Sequence, residues 1–360
     1  MMKKMGFRWY GPNDPITLNN IRQIPDTKQI VGALWDVPVG EVWPETEIKE
    51  MKEQVEKAGL KLEVIESVNV HDDIKIGLPT RDQYIENYIK TIRNLAKYGI
   101  RVICYNFMAV FDWMRTDLRY QLPDGSKAMR FQHKYFKGKS PEQVVSDVEK
   151  ASDGFTMAGW EPERLAQIKQ LFKKYEGIDE ERLTQNLKYF LQAIIPVCEE
   201  CDVRMAMHPD DPPFSIMGLP RIYKNAEDMR KIMSLYDSKY NSFTICAGSL
   251  GEDRNNDVPA IMREFVKKDR VAFVHLRNIK FENDEGDFHE TNQSSSQGSL
   301  DMYKIVKALY DCHYDGYVRP DHGRDIWGER GVPGYGLYDR ALGINYLHGL
   351  WEAIDKDNQK

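Results

Sequence analysis

The runs VRMAMH (203–208), SFTICA (242–247), VAFVHL (271–276) and GYVRPD (316–321) decide how this chain folds. Each is short and rich in β-branched and apolar residues on both of its faces. That pattern predicts parallel strands buried on both sides. Outward from them, GFRWY (6–10), IVGALWD (30–36), LEVIES (62–67) and IRVICYN (100–106) carry the same signature, which makes eight strands. Helical segments fall between them. The first spans 15–24, with Asp14 as its cap and Pro15 in its opening turn. The next two span 45–58 and 81–98 and stop at Gly59 and Gly99. Further helices are expected at 179–200, 225–235, 257–268, 300–312 and 337–353. Eight strand–helix alternations predict an α/β fold, a TIM (β/α)8 barrel rather than a doubly wound sheet.

Two stretches break the rhythm. Residues 107–178 separate the fourth strand from its helix and include the polar, aromatic, glycine-containing run PDGSKAMRFQHKYFKGKS (123–140). A connection this long predicts a lid-like insertion at the C-terminal face of the barrel, where the active site lies. Residues 1–360 are then a single barrel domain carrying that insertion. The second stretch, 279–299, contains DEGDF and NQSSSQGS and reads as irregular and mobile.

Bulk properties narrow the function. A formal charge of −6 argues against a nucleic-acid partner, whose phosphates would call for a basic surface. No run of about 18 apolar residues predicts a membrane span, and residues 1–15 lack the apolar core of a secretion signal. Five cysteines, an odd number scattered along the chain, fit a reducing cytoplasm better than a disulfide framework.

Barrel enzymes keep their chemistry at the C-terminal ends of the strands. The last four strands end in His208, Cys246, His275 and Asp321, all of which can bind a divalent transition metal. Taken singly, each has a plainer reading: a satisfied histidine, a small buried cysteine, an aspartate capping a turn. Their placement on four consecutive strand ends favours a metal held from one side and open on the other. Two imidazoles and a carboxylate suit Mn2+, Fe2+, Co2+ or Zn2+, and a thiolate disfavours Mg2+. His322, next to Asp321, is a candidate general acid or base. Tyr335, between Gly334 and Gly336, is placed to donate a proton to a leaving hydroxide or else packs on the rim. Arg277 and Arg324 are candidates for gripping a substrate carboxylate. Asp210, in His208-Pro209-Asp210-Asp211-Pro212-Pro213, is a candidate for substrate hydroxyls or for steadying His208, and Arg8 on the first strand reaches toward the pocket. Cys198-Glu199-Glu200-Cys201 ends a helix instead of opening one, so it reads as packing and not as a redox pair. Gly248-Ser249-Leu250-Gly251 lacks the G-K-[ST] of a phosphate loop.

Larger blocks carry a resemblance. FRWYG (7–11), WDVPVGEVWP (35–44), VIESVNVHDDIK (64–75), CYNFMAVFDWMRTDL (104–118), MAMHPDDPP (205–213), GLPRI (218–222), FVHLRN (273–278) and RPDHGRDIWGERGVPGYGLYDRALG (319–343) together resemble the mannonate dehydratase family over essentially the whole chain. The resemblance implies a barrel similar to sugar isomerases and an Mn2+ or Fe2+ cofactor. It implies conversion of the sugar acid D-mannonate into 2-keto-3-deoxy-D-gluconate in hexuronate (glucuronate) breakdown, in the bacterial cytoplasm. It implies a homodimer. Its metal ligands fall on His208, Cys246, His275 and Asp321, and its acid–base residues on His322 and Tyr335.

That reaction removes the C2 proton and the C3 hydroxyl, through an enediolate whose charge a divalent cation offsets. Two other readings share the residues. A metal-dependent aldose–ketose isomerase would use the same barrel without losing water. A catalytically silent sugar-acid-binding protein would bind without turnover.

Overall fold

A computed structural model describes residues 2, 4–140, 143–144, 146–147, 150 and 168–359. Twelve strands lie among the described residues: β1 (Lys4–Arg8), β2 (Gln29–Gly32), β3 (Lys61–Glu66), β4 (Val102–Tyr105), β5 (Asp117–Gln121), β6 (Lys127–Phe131), β7 (Arg204–Met207), β8 (Asn241–Cys246), β9 (Val271–Leu276), β10 (Asn278–Phe281), β11 (Phe288–Thr291) and β12 (Tyr317–Pro320). Eight of them close into a parallel barrel in the order β1-β12-β9-β8-β7-β4-β3-β2. These are the eight strands expected, with β9 matching residue for residue and the others shifted or trimmed at their ends. Val31, Val64, Val102, Cys104, Ala206, Ala272, Phe273 and Tyr317 form one buried cluster of strand residues. A larger core packs the strands against the surrounding helices, such as Glu180–Cys201, which buries Leu183, Leu187, Phe190, Leu191, Ile194 and Ile195.

The helices follow their expected spans within a few residues, with two exceptions. The last runs over Leu337–Asn358, five residues beyond the expected end. The first is only Leu18–Ile21 and is capped by Thr17, whose side chain accepts from the Asn20 amide in a reciprocal capping box. Asp14 does not cap it. Its carboxylate instead accepts from the backbone N–H groups of Tyr10 and Ile16 and pins the turn after β1.

The irregular 279–299 stretch is corrected as well. Strands β10 and β11 pair antiparallel, and β11 pairs with β6 of the insertion, giving a second sheet in the order β10-β11-β6-β5. Its anchor is Phe288, fully buried and stacked on Phe131 with ring centroids 5.5 Å apart. The end of that stretch is held by Asn278, whose side chain binds the backbone of Ile279, Ser294 and Leu300. Of the predicted 107–178 insertion, residues 141–142, 145, 148–149 and 151–167 lie outside the described residues. The hairpin within it also holds the loop before the last helix. Arg119 binds the Asp325 carboxylate (2.6 Å) and the Gly331 carbonyl (2.9 Å).

Replacing Phe288 by alanine removes the aromatic that joins the two hairpins. The expected cost is about 3–5 kcal/mol of stability, as for other buried Phe truncations. Denaturant unfolding of Phe288→Ala beside the unaltered protein measures it, and equal midpoints would show that the second sheet does not depend on this contact.

Candidate active site and metal centre

The barrel register brings the strand-end donors together. Cys246 and His275 are direct partners across β8 and β9. His208 and Asp321 stand one residue beyond β7 and β12. Their amides extend the ladder, His208 N–H to the Tyr105 carbonyl at 2.9 Å and Asp321 N–H to the Leu276 carbonyl at 3.2 Å. His208 Nε2 and His275 Nδ1 are 3.3 Å apart, Cys246 Sγ and Asp321 Oδ2 3.3 Å, and His275 Nδ1 and Asp321 Oδ1 3.9 Å. His208, Cys246 and His275 offer donor atoms that all lie within 4.8 Å of one another, and Asp321 joins them through Cys246 and His275.

The neighbours of the two imidazoles test whether a cation fits. His208 Nδ1 lies 2.7 Å from the Pro209 carbonyl, which can only accept, so Nδ1 carries the proton and Nε2 a lone pair. His275 Nε2 lies 3.4 Å from Glu66 Oε2 but makes no hydrogen bond to it, so this buried nitrogen has no partner. Glu66 is itself gripped by Arg319 through Nε (3.0 Å) and Nη2 (2.7 Å). His208 Nε2 thus points a lone pair at His275 Nδ1 across 3.3 Å. That lone pair fits a cation, and a carbonyl partner behind a metal-bound histidine, as Pro209 is to His208, is a usual way of orienting it. Glu66 and Cys104 also approach His275 closely enough to form a second candidate group of donors.

Burial alone would raise the Asp321 carboxyl, but His322, Arg319, His275 and Arg277 outweigh it and hold the group well below the ordinary carboxylate range. Asp321 is therefore an anion, with Arg277 Nε 3.0 Å and Arg319 Nη1 2.9 Å from its two oxygens. Cys246 Sγ sits among donors, with the Ser249 amide at 3.5 Å and Arg277 Nη2 at 3.6 Å.

Beside these groups runs a hydrogen-bonded chain. His322 Nε2 lies 2.9 Å from the Tyr335 hydroxyl, and His322 Nδ1 lies 2.8 Å from Glu290 Oε1. Burial raises the Tyr335 hydroxyl well above its ordinary range, with Tyr10 and Asp321 adding to it, so the phenol keeps its proton. Asp321, His322 and Tyr335 all line one cleft with Arg8, Glu66, Asn106, Trp113 and His208.

Four substrate-contact candidates meet different fates. Arg8 lines the cleft, held against the rings of Tyr10 and Trp35 and 3.4 Å from the Gly32 carbonyl. Arg277 is fully buried with its guanidinium committed: to Asp321 (3.0 Å), Glu252 (3.1 Å), Glu290 (2.9 Å), Asp211 (2.8 Å) and Ser249 (2.9 Å). Arg324 pairs with Asp339 and Asp124. Asp210 accepts from the amides of Ile222 and Tyr223, and burial pushes its carboxyl up to about 6. Those last three have structural partners in place of a view of the cleft.

The residues not anticipated are Glu66, Arg115, Glu252, Glu290 and Arg319. Glu66 and Arg319 sit at strand ends and were open to the same reasoning that found His275. Arg115 and Glu290 lie in the insertion and the 279–299 stretch, where no strand was expected.

Comparison with known proteins places the whole chain. The family model described as D-mannonate dehydratase (UxuA) matches residues 2–360. The chain belongs to the mannonate dehydratase family. A mannonate dehydratase of Thermotoga maritima is 58% identical over 354 residues, covering 98% of each chain. The crystal structure of mannonate dehydratase from Streptococcus suis serotype 2 superposes with a TM-score of 0.90 at 45% identity, covering 100% of this chain and 97% of that one. A xylose isomerase domain protein from Planctomyces limnophilus, at 10% identity and a TM-score of 0.58, shares the barrel alone. That likeness carries no support for the isomerase reading. Membership of the dehydratase family, a family of carbon–oxygen lyases, decides against it. Among the described residues no helix is long and apolar enough to cross a membrane.

If Cys246 is a ligand, Cys246→Ala should fold normally and bind less metal. Elemental analysis of the purified variant, reconstituted with Mn2+ and desalted, checks this. An unchanged metal-to-protein ratio would remove the thiolate from the set.

Proposed function

We propose that this chain converts D-mannonate into 2-keto-3-deoxy-D-gluconate with loss of water, in hexuronate catabolism. His208, Cys246, His275 and Asp321 would hold Mn2+ or Fe2+. The bound cation supplies offsetting charge for a substrate whose own carboxylate stabilises a C2 carbanion poorly. One observation carries the reading: His208 and Asp321 line the same cleft as the Tyr335–His322 pair, with His275 Nδ1 3.3 Å from His208 Nε2 and Cys246 Sγ 3.3 Å from Asp321 Oδ2.

The chain's own groups then divide the work. Arg8, the candidate cation facing the cleft at the end of β1, would attract the substrate carboxylate. His322 Nε2, with its lone pair, takes the C2 proton. Tyr335 gives its proton to the departing C3 hydroxyl, which leaves as water. The proton on His322 then passes to the Tyr335 oxygen along their existing 2.9 Å hydrogen bond, and both groups are reset. The enol left behind tautomerises to the keto acid. Trp113 and Asp112, from the start of the 107–178 segment, line the cleft and support its reading as a lid-like part of a single barrel domain. A cytoplasmic homodimer is the setting the family resemblance implies.

The deciding assay incubates the protein with a panel of aldonic acids and detects 2-keto acid as the semicarbazone. Mannonate should give product, EDTA should abolish it, and Mn2+ should restore it. A metal-stripped protein working at full speed would overturn the metal assignment. Tyr335→Phe should lower kcat by about 10²–10⁴-fold, the usual worth of a general acid, with metal content held. Undiminished turnover would take Tyr335 out of the scheme.

A further inference from the structure

We propose that Glu290 is a positioning residue for His322, fixing both the tautomer and the ring orientation that present Nε2 to Tyr335 and to the substrate. The proposal rests on the acid–base reading above and adds a residue to it.

Glu290 sits on β11, is fully buried and faces His322 from the second sheet, with Oε1 2.8 Å from Nδ1. A carboxylate can only accept, so the imidazole proton stays on Nδ1 and the lone pair on Nε2. The opposite tautomer would put a hydrogen on Nε2, directed at Tyr335, and leave His322 unable to take a proton there. Glu290 cannot turn away from this task. The same Oε1 accepts from Arg115 Nε (3.0 Å), Arg115 Nη2 (2.9 Å) and Arg277 Nη1 (2.9 Å). Both arginines are fully buried, and each also binds Asp211 and Glu252. A fixed acceptor is needed because His322 packs edge-on against Tyr335, ring centroids 4.8 Å apart, and rotation of the imidazole would break the Nε2 contact.

A merely structural ion pair and a positioning group predict different results. Glu290→Gln keeps the shape but has an amide that can donate to Nδ1 and select the wrong tautomer. Glu290→Asp keeps the charge for Arg115 and Arg277 but draws it back from His322, and it serves where the Gln variant does not fold. Both variants are compared with the unaltered enzyme for metal content, thermal midpoint, KM for mannonate and kcat. The substitutions are then repeated in a His322→Gln background. The expected result is kcat lowered about 10²-fold or more, KM and metal content within about twofold of the unaltered enzyme, and little further loss in the double variants, as for residues acting as a unit. Wild-type kcat in Glu290→Gln or Glu290→Asp overturns the proposal. So do losses that multiply in the double variants, or a kcat loss that merely tracks lost metal or stability. A fully active His322→Gln enzyme is a separate outcome that overturns the acid–base reading and this proposal with it.

Discussion

Two guanidinium groups without access to water, those of Arg115 and Arg277, tie the insertion and β9 to the loops after β7 and β8 and to β11 behind the active cleft. Arg115 comes from the insertion and Arg277 from the end of β9. Between them lie Asp211 from the loop after β7, Glu252 from just beyond the short helix Ala247–Gly251, and Glu290 from β11. Charges this deep must be matched, since breaking a buried pair costs about 3–5 kcal/mol. The balance is visible in the carboxyls. Burial drives Glu252 well above its ordinary range; Arg115 and Arg277 pull it down, and Asp211 and Glu290 counter them. Asp211 and Glu290, also raised by burial, are brought below theirs by the cations around them. Two guanidiniums thus face three acidic side chains, and Arg277 also reaches the Asp321 carboxylate across 3.0 Å, so the cluster is continuous with the cleft.

That layer backs the groups proposed to do the chemistry. Asp321 takes contacts from Arg277 and Arg319 yet stays an anion beside Cys246 and the two histidines. His322 leans on Glu290 from behind and offers its other nitrogen forward. The proposed metal ligands and the proposed proton-transfer pair share one supporting layer, so a change in the buried ion cluster reaches both. Gly248 shows how tightly that layer is built. A β-carbon there would run into the Arg277 guanidinium, so glycine is what lets the Ala247–Gly251 helix pack against it.

The barrel and its four strand-end donors were legible because their signals are local. A buried parallel strand announces itself by a run of apolar residues, and a residue at its C-terminal end must stand at the barrel mouth. Helix stops at Gly59 and Gly99 were legible for the same reason, both having the positive φ that favours glycine. The first helix was misplaced because Asp14 and Thr17 are both good caps, and only the turn after β1 decides which of them faces an amide. Strands β5, β6, β10 and β11 are four or five residues long and partly polar. Their pairing joins Phe131 to Phe288, far apart in the chain, so neither partner reads as a strand alone.

The sequence by itself determined the barrel, its direction and the residue types at its mouth, because each depends on periodicity within a few residues. The tertiary structure decided which polar groups meet. Arg277 has the right fork for a substrate carboxylate, but its donors are taken by Asp211, Glu252 and Glu290. Glu290 lies 175 residues from Arg115 and 32 from His322. Contacts over such separations are set by how loops close over the barrel, and no local pattern encodes them.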